Sequence, residues 1–141
     1  MLTKPILVAE SAASDEECAR LGLFPGEMVY RLDRIRGQGE QLLVEDILLP
    51  AALFPSLQNP APRISDLAET YSLELGEALE RVGVIAASPS IAKALGVAEG
   101  TLVLTLDRVV HLRDGRPAEW LRITYSSGLE NLARLIARLG T

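Results

Sequence analysis

The sequence predicts one α+β domain, a six-stranded, mostly antiparallel sheet with helices packed on one face and an internal pseudo-twofold repeat. Three observations predict it. The chain has 141 residues, the usual size of one domain, and is 48% hydrophobic, enough to bury roughly 68% of its unfolded surface without metal or disulfide staples. Slid against itself by 74 positions, it shows eleven identities between positions 12 and 45 without a gap. Each copy reads as strand, helix, strand, strand, so copies near residues 6–49 and 80–125 together supply six strands.

The identities preserve turn glycines and charges. Ala12-Ala13-Ser14 falls on Ala86-Ala87-Ser88, Leu21-Gly22 on Leu95-Gly96, Gly26 on Gly100, Val29 on Val103, Leu32-Asp33-Arg34 on Leu106-Asp107-Arg108, and Glu45 on Glu119. The first strand of each copy is the extended stretch Ile6 to Ala9 or Val82 to Ile85. A short helix follows. In copy one Ser14 and Glu17 have capping-box spacing, in which side chain and backbone satisfy each other's orphan donors. In copy two Ser88 caps, Pro89 occupies the first helical position, and Gly96 supplies the left-handed exit that Gly22 supplies in copy one. Two strands then form a hairpin. Met28 to Arg36 and Leu42 to Leu49 flank Gly37-Gln38-Gly39; Leu102 to Val110 and Ala118 to Tyr125 flank Arg113-Asp114-Gly115-Arg116, where Asp-Gly suits a turn that needs positive φ.

Between the copies, Pro50 to Pro62 is a proline-rich connector, and Ser65 to Glu69 opens a short helix with Ser65 as its cap. Leu73 to Arg81 is helical by composition, but its glycines and the preceding helix favour a long strand leading into Val82. At the end, Ser127 to Glu130 has capping-box spacing and Leu132, Leu135, Ile136 and Leu139 form a stripe, so an amphipathic helix is expected at about 128–139.

Composition excludes several functions. The formal charge of -5 argues against gripping a phosphate backbone, which needs clustered cations. No apolar run approaches the ~20 residues that span a bilayer, and the start lacks a signal-peptide pattern, so a cytoplasmic chain with no membrane partner is expected. Cys18 is the single cysteine and His111 the single histidine. No metal, cofactor or histidine-based catalysis is therefore expected.

Charge placement is the informative feature. Side chains alternate along a strand, so residues of one parity share a face. Glu45 falls with Leu43, Ile47 and Leu49, and Glu119 with Leu121, Ile123 and Tyr125. Arg34 and Arg36 fall with Tyr30 and Leu32, and Arg108 with Leu104 and Leu106. Both copies thus aim an acid and an arginine at the apolar side. Such groups pair, bind a ligand or stay wet in a pocket. Cross-strand bridges Arg34–Glu45 and Arg108–Glu119 fit the first; a cavity that clamps a small polar ligand fits the others. The expectation carried forward is one solvent-connected cavity rather than two closed bridges.

A family resemblance emerges from motifs in order. They are Leu21-Gly22-Leu23 with Pro25-Gly26-Glu27, the pair Arg34 and Arg36, Glu45, Leu49-Pro50 with Leu53-Phe54-Pro55, Ala94-Leu95-Gly96-Val97 with Gly100, and Asp114 to Glu119. Together they resemble the UTRA domain, the effector-binding half of HutC-type GntR-family bacterial transcription regulators, from about Ile6 to Tyr125. The resemblance implies a chorismate-lyase-like fold, a homodimer, and a site on the sheet for a small polar or anionic metabolite. Its occupancy would control DNA binding through an N-terminal winged helix-turn-helix, a domain not expected in this chain. By the same resemblance Arg34 and Arg36 hold an acidic ligand group, Glu45, Glu119 and Tyr125 contact the rest of the ligand, and Ser65 helps to hold phosphate. Asp66, where the family often has leucine, weighs against a phosphorylated ligand. A chorismate-lyase-like enzyme and a dimerisation module with a vestigial pocket are the alternatives.

Overall fold

The computed structural model describes residues 7–38, 41–55, 57 and 63–126. The elements in order are β1 (Leu7–Ala12), α1 (Asp15–Leu21), β2 (Met28–Gln38), β3 (Gln41–Pro50), a single 3-10 turn (Ala51–Leu53), α2 (Ile64–Thr70), β4 (Leu75–Ala86), α3 (Pro89–Leu95), β5 (Leu102–Leu112) and β6 (Pro117–Tyr125). The helix expected at about 128–139 lies outside the described residues.

The six strands form one sheet in the order β1-β2-β3-β6-β5-β4, with every neighbouring pair antiparallel. Copy one therefore runs inward to β3 and copy two outward from β6. Residues 15–21 and 28–38 recur 74 positions later as α3 and β5, end to end. At the midline Ile47 pairs with Leu121, its own counterpart under that offset, so the pseudo-twofold axis passes between them. The ambiguous stretch after Leu73 is strand from Leu75 onward.

The repeated helices are bounded as their sequences require. The Ser14 Oγ accepts from the Glu17 N–H at 3.2 Å while Glu17 Oε1 accepts from the Ser14 N–H at 2.8 Å, closing the capping box. Ser88 Oγ accepts from the Ile91 N–H, with Pro89 at the first helical position. Gly22 and Gly96 end these helices at φ 64° and 70°, a left-handed conformation that costs a β-carbon residue more than glycine.

Three expectations are corrected. The helices cover both faces of the sheet, not one. Helices α1 and α3 bury Leu21 and Leu95 on the side of Val29, Val44, Val103 and Trp120. Phe54, which ends the 3-10 turn, and Leu67 from α2 join Leu32, Leu49, Leu106, Leu121 and Ile123 on the other. The segment after β3 runs from a central strand to edge strand β4, so it must cross a face, and α1 and α3 already occupy one. Ser65 does not cap α2: the helix starts at Ile64, after Arg63, which makes no side-chain cap bond. Gly37 and Gln38 are strand rather than turn, pairing with Leu42 and Gln41, because the β2–β3 ladder continues unshifted to its tip.

Candidate functional site

Between α2 and the sheet lies a cavity of about 430 Å³, within the usual range for small-molecule sites. Arg34 and Arg36 reach it from β2, Glu45 from β3, Arg108 from β5 and Glu119 from β6. Arg63, Ile64 and Ser65 line it from the start of α2, and Ile47, Leu121 and Ile123 form its apolar floor. Five of the six residues singled out in the sequence therefore converge. Tyr125 packs against the adjoining apolar core but does not line this cavity. Arg63 and Arg108 join it without having been selected. Arg108 had a signal, as the repeat counterpart of Arg34; Arg63, in unrepeated chain, had none.

The two copies use the same charges differently. Arg34 Nη2 donates to Glu45 Oε2 at 2.6 Å, and Arg36 Nη1 donates to Glu45 Oε1 at 2.7 Å. Of the two closed bridges weighed against one shared cavity, copy one forms its own, a double ion pair at the wall of a cavity that all four residues line. Copy two does not. Arg108 lies 3.9 Å from both Glu119 and Glu80, beyond hydrogen-bond reach. Glu119 Oε1 and the Nε atoms of Arg34 and Arg108 are buried without a hydrogen-bond partner.

Register explains the difference. Arg34 pairs with Glu45 across β2–β3, but across β5–β6 it is Val110 that pairs with Glu119, and Arg108 faces Leu121. The second hairpin is slipped by two residues, which keeps every side chain on its face while moving it one step along the strand. Val110 is also the repeat counterpart of Arg36. Glu119 has thus lost one arginine to substitution and the other to the slip.

The cavity wall carries four arginines against two glutamates, an excess of positive charge in an acidic chain. Burial pushes the Glu119 carboxyl up to about 7, with Arg108 opposing and the nearby Glu45 charge assisting. A carboxyl poised near neutrality accepts hydrogen bonds when ionised and donates one when protonated.

A smaller cavity of about 290 Å³ on the opposite face is lined by Glu17, Arg31, Asp33, Asp46, Leu48, Trp120 and Arg122. Its cations are committed. Arg31 binds Glu17, holding that carboxyl down at about 2, and Arg122 donates to Asp107 at 2.8 and 3.1 Å. Burial pushes Asp46 up to about 7, reinforced by its hydrogen bond with Asp33 and by the Asp33 charge. Among the described residues no cluster of three His, Cys, Asp or Glu side chains could hold a metal ion, and no helix is long and apolar enough to cross a membrane.

Comparison with known proteins agrees with this architecture. The UTRA domain family profile matches residues 2–127. The HTH-type transcriptional regulator Rv0792c of Mycobacterium tuberculosis is 30% identical over 93 residues, covering 61% of this chain and 35% of the relative. The chain thus spans about a third of the length of that curated relative. Among solved structures, a GntR-family transcriptional regulator from Enterococcus faecalis superposes with a TM-score of 0.79 at 22% identity, covering 89% of this chain and 94% of the other. The ligand-binding domain of a protein described as a GntR-family transcriptional regulator from Bordetella bronchiseptica gives a TM-score of 0.76 at 27% identity, covering 88% and 81%.

Proposed function

Because the chain belongs to the UTRA domain family, the effector-binding part of GntR-family transcription regulators, we propose that its α2-covered cavity senses a small polar or anionic metabolite. The single observation that carries this reading is the convergence of Arg34, Arg36, Glu45, Arg63, Ser65, Arg108 and Glu119 on one cavity of about 430 Å³. Part of this charge is satisfied internally, by Arg34 and Arg36 on Glu45, but Glu119 Oε1 and the Nε atoms of Arg34 and Arg108 are buried without partners, which a polar ligand would supply. The chain acts by binding rather than catalysis, in the cytoplasm, as part of a HutC-type regulator whose winged helix-turn-helix reads DNA. Calorimetric titration of the purified chain with a panel of small anionic metabolites tests this: saturable 1:1 binding is expected. Pyruvate release on incubation with chorismate would replace it with an enzymatic reading. The acidic chain alone gives no salt-resistant shift of operator DNA.

The chain also forms a homodimer, as paired readers of a palindromic operator require. Edge strand β4 supports this. Leu79 and Val84 are 55% and 58% exposed there, and the outer side of an edge strand offers backbone groups for strand pairing. Antiparallel pairing of β4 with a second copy about Leu79 sets Glu77 of each strand opposite the partner's Arg81, so the edge is complementary to itself.

A further inference from the structure

We propose that an oxyanion group of the ligand seats between Arg108 and Glu119, making Arg108, rather than the Arg34 and Arg36 pair, the arginine that receives it. This assignment rests on the reading of the cavity as a ligand site. The reason lies in what each guanidinium already holds. Arg34 and Arg36 each donate to one oxygen of Glu45 at 2.6 and 2.7 Å, so drawing either away uncovers a buried carboxylate. Arg108 makes no such commitment. Both carboxylates near it stand 3.9 Å away; its Nε is unpartnered like that of Arg34, but its terminal nitrogens, unlike those of Arg34, make no hydrogen bond to a carboxylate.

Glu119 supplies the second, independent observation. Its side chain is only 5% exposed, it lines the cavity, and its Oε1 makes no hydrogen bond. Buried polar atoms in this condition mark places where a partner belongs. An oxygen between the two groups would accept from an Arg108 N–H and from the protonated Glu119 carboxyl, satisfying both. Val110, opposite Glu119, leaves the space that an arginine fills in copy one.

The balance of protons follows. Facing Glu119 are Arg108 on β5, Glu45 on β3, Arg34 and Arg36 on β2, and Arg63 and Ser65 on α2, with Glu80 on β4 behind Arg108. An anion drawn to Arg108 adds a negative charge beside Glu119 and so favours its protonated form. Below pH about 7 the proton is already present; above it, each anion bound takes up one proton.

The probes are sodium sulfate, inorganic phosphate and acetate, titrated at constant ionic strength with melting temperature and calorimetry as readouts. Sulfate keeps its charge across the range, so pH dependence in its affinity belongs to the protein. Saturable sulfate binding at pH 6, weakening about tenfold per unit above pH 7, is expected. Arg108→Gln should lose it at least about tenfold, Arg108→Lys should weaken it while keeping the charge and the fold, and Glu119→Gln should flatten the pH dependence. Preference for sulfate and phosphate over acetate would assign a tetrahedral oxyanion; the reverse, a carboxylate. Binding kept in both Arg108 variants and lost in Arg36→Gln overturns this assignment alone. No saturable response of the wild-type chain to any of the three anions overturns it together with the anion-binding reading of the cavity.

Discussion

Val110 faces Glu119 across the second hairpin at the position where Arg34 faces Glu45 across the first. One carboxylate is therefore clamped by two guanidinium groups while its repeat counterpart is buried with an unsatisfied oxygen. The difference makes the halves separable by mutation.

Glu45→Ala leaves Arg34 and Arg36 as adjacent like charges. Their side chains are 24% and 32% exposed, so water screens part of the penalty, and a loss of about 2 kcal/mol is expected instead of the ~3–5 of a fully buried pair. Glu119→Ala should cost the empty protein less than about 1 kcal/mol at pH 6, because it breaks no hydrogen bond. Urea unfolding of the two variants measures both. Equal losses would show that Glu119 is structural.

Stability should fall as pH rises from about 5 to about 7. The folded-state pKa of Glu119 is raised from 4.5 to about 7, so between those values the folded chain holds a proton that the unfolded chain has released. Its favourable contribution is complete below pH 4.5 and lost on passing 7. Asp46, raised from 3.8 to about 7, acts in the same direction. Glu119→Gln removes the liability and should gain on the order of 3 kcal/mol at pH 8, with little change at pH 5. Urea midpoints at the two pH values check the sign.

Asp107 accepts from Trp120 Nε1 at 3.1 Å as well as from Arg122. Asp107→Ala should orphan the buried indole N–H and cost about 2–3 kcal/mol. Trp120 is the single tryptophan, so a red shift of intrinsic fluorescence reports loosening of the α1 contact directly.

If β4 pairs with itself, charge reversal should be reciprocal. Glu77→Arg or Arg81→Glu alone sets like charges opposite each other at two symmetric points and should shift the chain toward monomer. The double variant restores opposite charges and should restore the dimer. Light scattering at tens of micromolar reads all three; a dimer indifferent to both single reversals uses another surface.

Much of the fold was legible because duplication writes it twice. The 74-residue offset carries α1 onto α3 and β2 onto β5, and the parity of Arg34, Glu45, Arg108 and Glu119 survives into the structure as a shared face. Alternation cannot show the slip of the second hairpin, because a shift of two residues leaves every parity unchanged. The clamp on Glu45 and the isolation of Glu119 were therefore invisible in the pattern. Nor does a short helix such as α2 say in its own sequence which side of a sheet it covers, and a single helical face is the simplest expectation. Arg63 entered the site only through that crossing.

The packing of α1 on β6 and of α3 on β3 means that each copy lends its helix to the central strand of the other. Each helix also packs on its own copy, α1 against Val29 and α3 against Val103, so it bridges the two halves. Separating the halves would strip the other copy's helix from Trp120 and Val44, so the covalent link between them holds together an interface that two free halves would have to form by association. Because the halves differ in sequence, one hairpin is slipped while the other keeps its clamp. The asymmetry of the cavity is thus written in the sequence difference between two halves of one chain.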